Sequence, residues 1–394
     1  MKIKTVERIP IIYHILKKGW GDEKETRSKK YEIWPSTMPS VLVKITTSDG
    51  LTGIGEAMAM DWYLGNSQAH NYTLIGRYAK QLENEDPVNL ERIHKILIAT
   101  SGRGHPTARS ADDAIDMALL DLLGQAWGEP VYNVLGGFHH KKIPLNPNLY
   151  LGTPEQMAEE AKRFVSNGYK ALKIKCGMDI EQDGWSMDSV RHDIAKLTRT
   201  LEEVPENVLI DADSNQSWGN YKRAISIVQR YDLERHLNLG IEQPVHYLDI
   251  EGASKIARTI KLQLILDESV FSPEALANVI RRNAADRIVL KTSRVGGIYV
   301  ARKMISMAET FGINVAIDGL PYSRIGDTAM CHLAATIREP YPGGFDGHTW
   351  FRENPVKTGG LVIEEGYAKV PTSPGLGIQL DDNAIEEMRV QIDL

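Results

Sequence analysis

Five short apolar runs in this chain close on residues that can do chemistry. Lys173-Ile174-Lys175 ends the first, Asp213, Glu242 and Asp267 end the next three, and Lys291 ends the fifth. Taken singly, each has a bland explanation. An alternating Lys-Ile-Lys is usually an exposed strand, and an Asp after a strand usually caps the next helix. Three carboxylates on consecutive runs, with lysines one unit before and one unit after, are hard to obtain from capping alone. Carboxylates without thiolate or imidazole are hard oxygen ligands that suit Mg2+ and leave positions for water and substrate. A strand period of two points Lys173 and Lys175 the same way. Closeness to each other, to a cation and to a low-dielectric interior all disfavour ammonium, so one lysine is expected to be a neutral base near pH 7. Lys291 comes from the far side of the trio. Such a set fits removal of a proton beside a substrate carboxylate, with the metal stabilising the enediolate charge and a lysine taking the proton.

Bringing five strand ends to one place requires parallel strands. The pattern from residue 141 predicts strands at Ile143–Leu151, Ala171–Lys175, Val208–Asp213, Gly240–Glu242, Leu262–Asp267, Arg287–Lys291 and Asn314–Asp318, with a weak eighth near Gly344–Asp346. Amphipathic helices at Pro154–Ser166, Ser189–Leu201, Tyr221–Gln229, Gly297–Thr310 and Ile325–Ile337 lie between them. From the second strand on, successive ends fall 24 to 38 residues apart, one βα unit per step. About eight such units close into a barrel, whose active sites form at the C-terminal strand ends. Residues 1–140 read as an α+β module instead. They begin with antiparallel strands turning at Ser48-Asp49-Gly50 and continue with an apolar helix around Ala114–Leu122 that Gly124 does not stop. Residues 351–394 form short strands and turns expected to pack back on that module.

Composition narrows the function. Of 394 residues, 42% are hydrophobic and 25% charged, which excludes a disordered chain. A net charge of -6 without a basic stripe argues against nucleic acid as a partner. The apolar patch near the N-terminus is too short and polar to span a membrane. Two cysteines, Cys176 and Cys331, cannot build a disulfide framework and fit a reduced, cytoplasmic protein. The expected partner is a small-molecule carboxylate substrate, and a homo-oligomer is expected.

The residues also resemble a family. Ser110-Ala111, Ala114-Ile115-Asp116-Met117-Ala118-Leu119-Leu120-Asp121, Val134-Leu135-Gly136-Gly137, Lys173-Ile174-Lys175, Asp213-Ser214-Asn215-Gln216, Ile241-Glu242-Gln243-Pro244, Leu266-Asp267-Glu268-Ser269 and Lys291-Thr292-Ser293-Arg294-Val295-Gly296-Gly297 together are similar to the enolase superfamily, in its muconate-lactonizing-enzyme subgroup. The resemblance covers nearly the whole chain. It implies an α/β fold, a modified (β/α)7β TIM-type barrel with an α+β capping domain. It further implies Asp213, Glu242 and Asp267 as Mg2+ ligands, Lys175 and Lys291 as the acid–base pair, and Lys173 holding the substrate carboxylate and tuning Lys175. The family pattern selects Asp213 over Asp211 as ligand, with Asn215 supporting it. The His/Asp dyad of the mandelate-racemase subgroup is missing, because strand seven ends Ala316-Ile317-Asp318-Gly319. The reactions the subgroup permits are racemisation or epimerisation, dehydration, and cycloisomerisation. Two opposed bases favour the first, for an amino-acid-like acid.

Other residues carry weaker signals. Asp318 and Asp346 end strands seven and eight and either touch substrate or cap loops. Glu268 either orients Lys291 or packs. Tyr63, in the Met58, Met60, Trp62, Tyr63 cluster, belongs to a loop similar to the family's specificity lids and either offers an apolar wall to substrate or packs only on the barrel. His105 and His348 are loop histidines, more often structural than ligating. Cys176 has the opposite strand parity from Lys175 and is expected in the core. From another class of function, Arg294-Val295-Gly296-Gly297 opening a helix would make an anion site in a phosphate-binding barrel or a non-catalytic scaffold.

Overall fold

The computed structural model describes residues 1–16, 36–101, 109–149, 152–177 and 185–392. Nearly all of the polar Lys17–Ser36 stretch, His105, and the last two residues of the expected Ile143–Leu151 strand lie outside them. The chain opens with an antiparallel sheet of β1 (Ile3–His14), β2 (Thr37–Thr47) and β3 (Thr52–Met58). The hairpin turns where expected. Gly50 there takes a φ of 89°, a left-handed conformation that glycine enters without steric cost. The helix Ser110–Trp127 runs through Gly124 and stops only at Gly128. It lies against β3 so closely that a Cβ on Gly55 would sit 1.9 Å from the Ala114 carbonyl oxygen. Strand β3 can therefore carry no side chain at that point.

The barrel sheet is parallel, in the order β11-β10-β9-β8-β7-β6-β5. Its strands are β5 (Asn148–Leu149), β6 (Ala171–Lys175), β7 (Leu209–Asp213), β8 (Leu239–Glu242), β9 (Gln263–Leu266), β10 (Arg287–Leu290) and β11 (Asn314–Ile317). Helices Pro154–Ser166, Met187–Glu203, Tyr221–Arg230, Ile250–Thr259, Pro273–Arg282, Ile298–Thr310 and Arg324–Ala335 follow the successive strands. Alternation sorts the strand residues. Leu172, Ile174, Ile210 and Ala212 join the large core under the helices, as does Cys176, while Lys173, Lys175, Asp211 and Asp213 take the other parity. Inside the opposite half of the barrel, Ile265, Val289 and Ala316 form a separate small apolar cluster against Tyr341.

Two expectations need correction. The expected first barrel strand is divided: β4 (Lys142–Pro144) pairs antiparallel with a strand of the tail, and only β5 joins the barrel. Pro144 and Pro147 lack the N–H that a continuous ladder needs. The eighth strand is not a regular strand. Closure is made by isolated parallel bridges, Val315 to Pro340, Leu145 to Gly343 and Asp318 to Gly344. Glycine is required along this seam, because a Cβ on Gly343 would lie 2.2 Å from the Ile317 carbonyl oxygen and one on Gly344 would lie 2.4 Å from Asp318 Oδ1.

The tail contributes β12 (Val356–Gly359), β13 (Val362–Glu364), β14 (Tyr367–Lys369) and β15 (Ile378–Leu380). Strand β14 pairs with β4, and the Val390 N–H donates to Pro10 O at 3.0 Å, which brings the tail back onto β1. Buried carboxylates fasten these parts together. Asp121 of the long cap helix accepts from Ile54 N at 3.0 Å and from Leu376 N at 2.7 Å. Glu56 of β3 accepts from the Tyr13 hydroxyl at 2.8 Å and, across the cap–barrel junction, from the Ser323 hydroxyl at 2.8 Å and backbone N–H at 3.1 Å. Burial pushes the Glu56 carboxyl up to about 7, against the lowering effect of the Ser323 and Tyr13 hydrogen bonds. A carboxyl raised on folding binds its proton more tightly in the native state. The stability it contributes is present below its unfolded pKa and is lost as pH rises through the folded one. The stability of the wild type relative to Glu56→Gln should therefore fall by about 3 kcal/mol between roughly pH 4.5 and 7 and level off above. Denaturant titrations at stepped pH measure this, and a flat difference would remove the assignment.

Candidate active site

Backbone register brings the chemistry-bearing residues together. Lys175 on β6 stands opposite Asp213 on β7, which stands opposite Glu242 on β8. Asp267, Lys291 and Asp318 directly follow β9, β10 and β11, so the polar residues continue around one end of the barrel. All lie at the C-terminal mouth.

The side chains form a continuous network of opposite charges. Lys173 Nζ contacts Glu242 Oε1 at 2.8 Å and Asp318 Oδ2 at 2.9 Å. Lys291 Nζ reaches the same Asp318 oxygen at 3.3 Å from the other side and Asp267 Oδ2 at 2.6 Å. Lys175 pairs with Asp213 and donates to Asn215 Oδ1 at 3.1 Å, and Asn215 Nδ2 donates in turn to Glu268 Oε1 at 3.2 Å. Glu268 thus has Asn215 as its hydrogen-bond partner. Asp318 is the meeting point of Lys173 and Lys291.

Electrostatics follow from these contacts. Burial by itself would lower each lysine, yet the carboxylates outweigh it. Asp318 and Glu242 hold Lys173 well above the usual range, Asp267 and Asp318 raise Lys291, and Asp213 raises Lys175. With these contacts every ammonium touches a carboxylate, which favours its charged form. Burial pushes Glu242 up to about 8, Lys173 opposing and Asp213 and Asp267 adding to it. Burial would also raise Asp267, but Arg294, then Lys291, hold it far below the ordinary carboxylate range.

Among the described residues, no three side chains stand in metal-holding geometry, since Asp213, Glu242 and Asp267 are each drawn toward a cationic side chain. The donor set nevertheless fits a hard divalent cation. It supplies three buried carboxylates on adjacent strands, and Glu242 Oε2 is buried with no hydrogen-bond partner. Asp211 is committed elsewhere. It pairs with Arg287, accepts from Asn146 Nδ2 at 2.8 Å, and Arg287 in turn lies 4.1 Å from the Tyr341 ring centroid.

Several residues escaped the sequence reading. Arg294 had figured only in a helix-opening anion motif. Three positions after Lys291, on one turn of helix, it returns over the strand end. There it donates to Asp267 Oδ1 at 2.5 Å and to the Tyr63 hydroxyl at 2.9 Å. Tyr63 is therefore tied to Asp267 through Arg294. Gln243 had been noted only as the neighbour of Glu242. Its Oε1 accepts from Asp267 N at 3.0 Å and Ser269 N at 3.2 Å, while its Nε2 donates to Val245 O and to Ser269 Oγ. Gln243, Asn215 and Gln216 have φ of 38°, 41° and 71°, a sparsely populated region for such residues and one often found at functional sites. Met58 and Met60 are buried in the core, while Trp62 is partly exposed. His348 is bound by its Nδ1 to Asp327 of the helix Arg324–Ala335 at 2.7 Å.

Sequence comparison now decides the lineage. Residues 156–384 match the family model described as enolase C-terminal domain-like, and residues 35–136 match the mandelate racemase/muconate lactonizing enzyme N-terminal domain. The chain belongs to the mandelate racemase/muconate lactonizing enzyme family of the enolase superfamily. A family relative, the N-succinyl-L-Arg/Lys racemase of Bacillus cereus, is 31% identical over 361 residues, 91% of this chain and 92% of that one. The crystal structure of an N-succinyl Arg/Lys racemase from that species superimposes with a TM-score of 0.86 at 27% identity over 99% of both chains. A family L-Ala-D/L-Glu epimerase from Bacillus subtilis is 30% identical over 344 residues, 87% of this chain and 89% of that one. The dipeptide epimerase of Enterococcus faecalis, solved with Mg and the dipeptide L-Leu-L-Tyr, gives a TM-score of 0.82 at 29% identity over 96% of this chain and 99% of that one. The barrel with its cap is thus the family fold, and the protein is an enzyme of this superfamily.

Within that family framework, Gln243 is the brace that aims Asp267. Gln243→Ala should leave two buried backbone N–H groups without partners and destabilise the protein by about 2–4 kcal/mol. Chemical denaturation measures the loss, and one below about 1 kcal/mol would show that the backbone holds Asp267 unaided.

Proposed function

We propose that this enzyme racemises or epimerises the α-carbon of an N-acylated amino acid, with Lys175 and Lys291 as the acid–base pair. The observation that carries this is their placement. Lys175 ends β6 and Lys291 follows β10, with the carboxylates of β7, β8 and β9 between them. A substrate seated over those carboxylates presents one face to each lysine, so a proton taken on one side is replaced from the other. The relatives support the substrate class. An N-succinyl amino acid and a dipeptide share a free carboxylate, an α-proton and an acylated nitrogen.

Asp213, Glu242 and Asp267 would hold Mg2+. When bound, the cation lowers the cost of negative charge on the substrate carboxylate as the α-proton leaves. Lys173, between Glu242 and Asp318, is placed to bind that carboxylate and to keep Lys175 company as a second positive charge. Asp318 steadies Lys173 and Lys291 at a fixed separation. Asn215, backed by Glu268, orients the Lys175 amine. Tyr63 reaches from the cap toward the substrate side through its contact with Arg294.

The test is α-proton exchange in deuterated water with Mg2+, using N-succinyl-L-arginine, N-succinyl-D-arginine and L-Ala-L-Glu. With wild type the substrates should incorporate deuterium at the α-carbon, N-succinylarginine losing optical activity and L-Ala-L-Glu giving a mixture of diastereomers. Lys175→Ala and Lys291→Ala should each slow racemisation by about a thousandfold or more, and each should retain exchange of only one enantiomer. Racemisation at the wild-type rate in either variant removes that lysine from the mechanism, and loss of water in place of exchange makes the enzyme a dehydratase. By calorimetric titration with Mg2+, Asp213→Asn should lose affinity while Asp211→Asn, whose partners are Arg287 and Asn146, should retain it.

A further inference from the structure

We propose that Asp113, on the cap helix Ser110–Trp127, is a positioning residue for Lys291 and thus for one face of the reaction. Its Oδ2 accepts two hydrogen bonds, from Thr292 Oγ1 at 2.8 Å and from the Tyr322 hydroxyl at 2.7 Å. Thr292 is the residue next to Lys291. Tyr322 lies in the segment that leads from Asp318 to the helix Arg324–Ala335. One oxygen of the cap therefore ties together the loops after β10 and β11, whose residues Lys291 and Asp318 meet at 3.3 Å.

The arrangement is more than packing. Asp113 is fully buried, its Oδ1 has no hydrogen-bond partner, and burial pushes the carboxyl up to about 8. An alanine would satisfy a helix face at far lower desolvation cost. The start of the same helix also grips the segment that follows Thr292. Arg109 N donates to Ser293 O at 2.9 Å, and Asp116 Oδ2 accepts from Tyr299 N at 2.9 Å. Both side-chain partners of Asp113 lie on the Lys291 side of the mouth. Lys175 takes its orientation from Asp213 and Asn215, on β7 and the loop that follows it. Loosening Asp113 should accordingly misplace one lysine and spare the other.

This inference rests on the two-lysine reading, and the experiment separates them. Exchange of N-succinyl-L-arginine and N-succinyl-D-arginine in deuterated water is followed with Mg2+, each face being assigned from Lys175→Ala and Lys291→Ala. In Asp113→Ala, exchange on the Lys291 face should fall about tenfold to a hundredfold, and exchange on the Lys175 face by less than about threefold. Asp113→Asn keeps an acceptor oxygen and should restore most of the lost rate. Thr292→Val removes only the hydrogen bond beside Lys291 and should reproduce the one-sided loss, which keeps the test in force if Asp113→Ala does not fold. A crystal structure of either variant should show the Lys291 amine displaced from Asp267. Equal losses on both faces, unchanged rates on both, or an undisplaced Lys291 would overturn the role of Asp113 while leaving the lysines as acid and base. Wild-type enzyme inert toward both enantiomers would overturn the two-lysine reading and this inference with it.

Discussion

The barrel mouth is governed by the need to keep opposite charges paired out of water. Asp213, Glu242, Asp267 and Asp318 meet Lys173, Lys175, Lys291 and Arg294 there, nearly all of them buried. Each ion alone in that setting would cost several kcal/mol, so none can be deleted without stranding a partner. Well-packed apolar residues would fill the same space at less cost, and Ile265, Val289 and Ala316, two residues before Asp267, Lys291 and Asp318 on the same strands, do so one layer below. The charged mouth is therefore best understood as chemistry that the fold tolerates. What it requires in return is rigidity in the loops that aim each group.

That rigidity comes from two sources. Within the barrel, Gln243 and the turns at Asn215 and Gln216 hold neighbouring strand ends together in conformations that a free peptide would avoid. From outside, the cap helix grips the loop after β10, and Glu56 seats the start of the helix after β11. The glycines of β3 permit this by letting helix and sheet approach to backbone contact. Cap and barrel are thus mechanically one object at the site, although their secondary structures obey different rules.

Much of this was legible in the sequence because it is written in side-chain alternation. Strand ends at Lys175, Asp213, Glu242, Asp267 and Lys291 stand out as polar residues closing apolar runs, and the structure places those ends at one mouth. The closing seam at Pro340, Gly343 and Gly344 left only a weak mark near Gly344–Asp346, since glycine and proline carry no alternating pattern. The division of the first barrel strand turned on two prolines whose effect depends on which neighbour needs an N–H. Arg294 was missed because its role depends on the reach of a long side chain across a helical turn. The pairing of each lysine was hidden for a related reason: cross-strand register decides which carboxylate each amine touches, and a single strand does not display its register.

The hydrogen bond between Val390 and Pro10 has a consequence for how the molecule is made. Parallel βα units assemble from contacts near in sequence, so the barrel can gather while the chain is still emerging from the ribosome. The cap is not completed then, because β1 pairs with β2 early but its other edge meets Arg389 and Val390, far along the chain. Until Arg389 and Val390 are made, the outer edge of β1 is unfilled, exposed to mispairing and to chaperones alike. Arg389 and Val390 are the residues that cover this edge, and a chain halted before them would leave the outer side of β1 open.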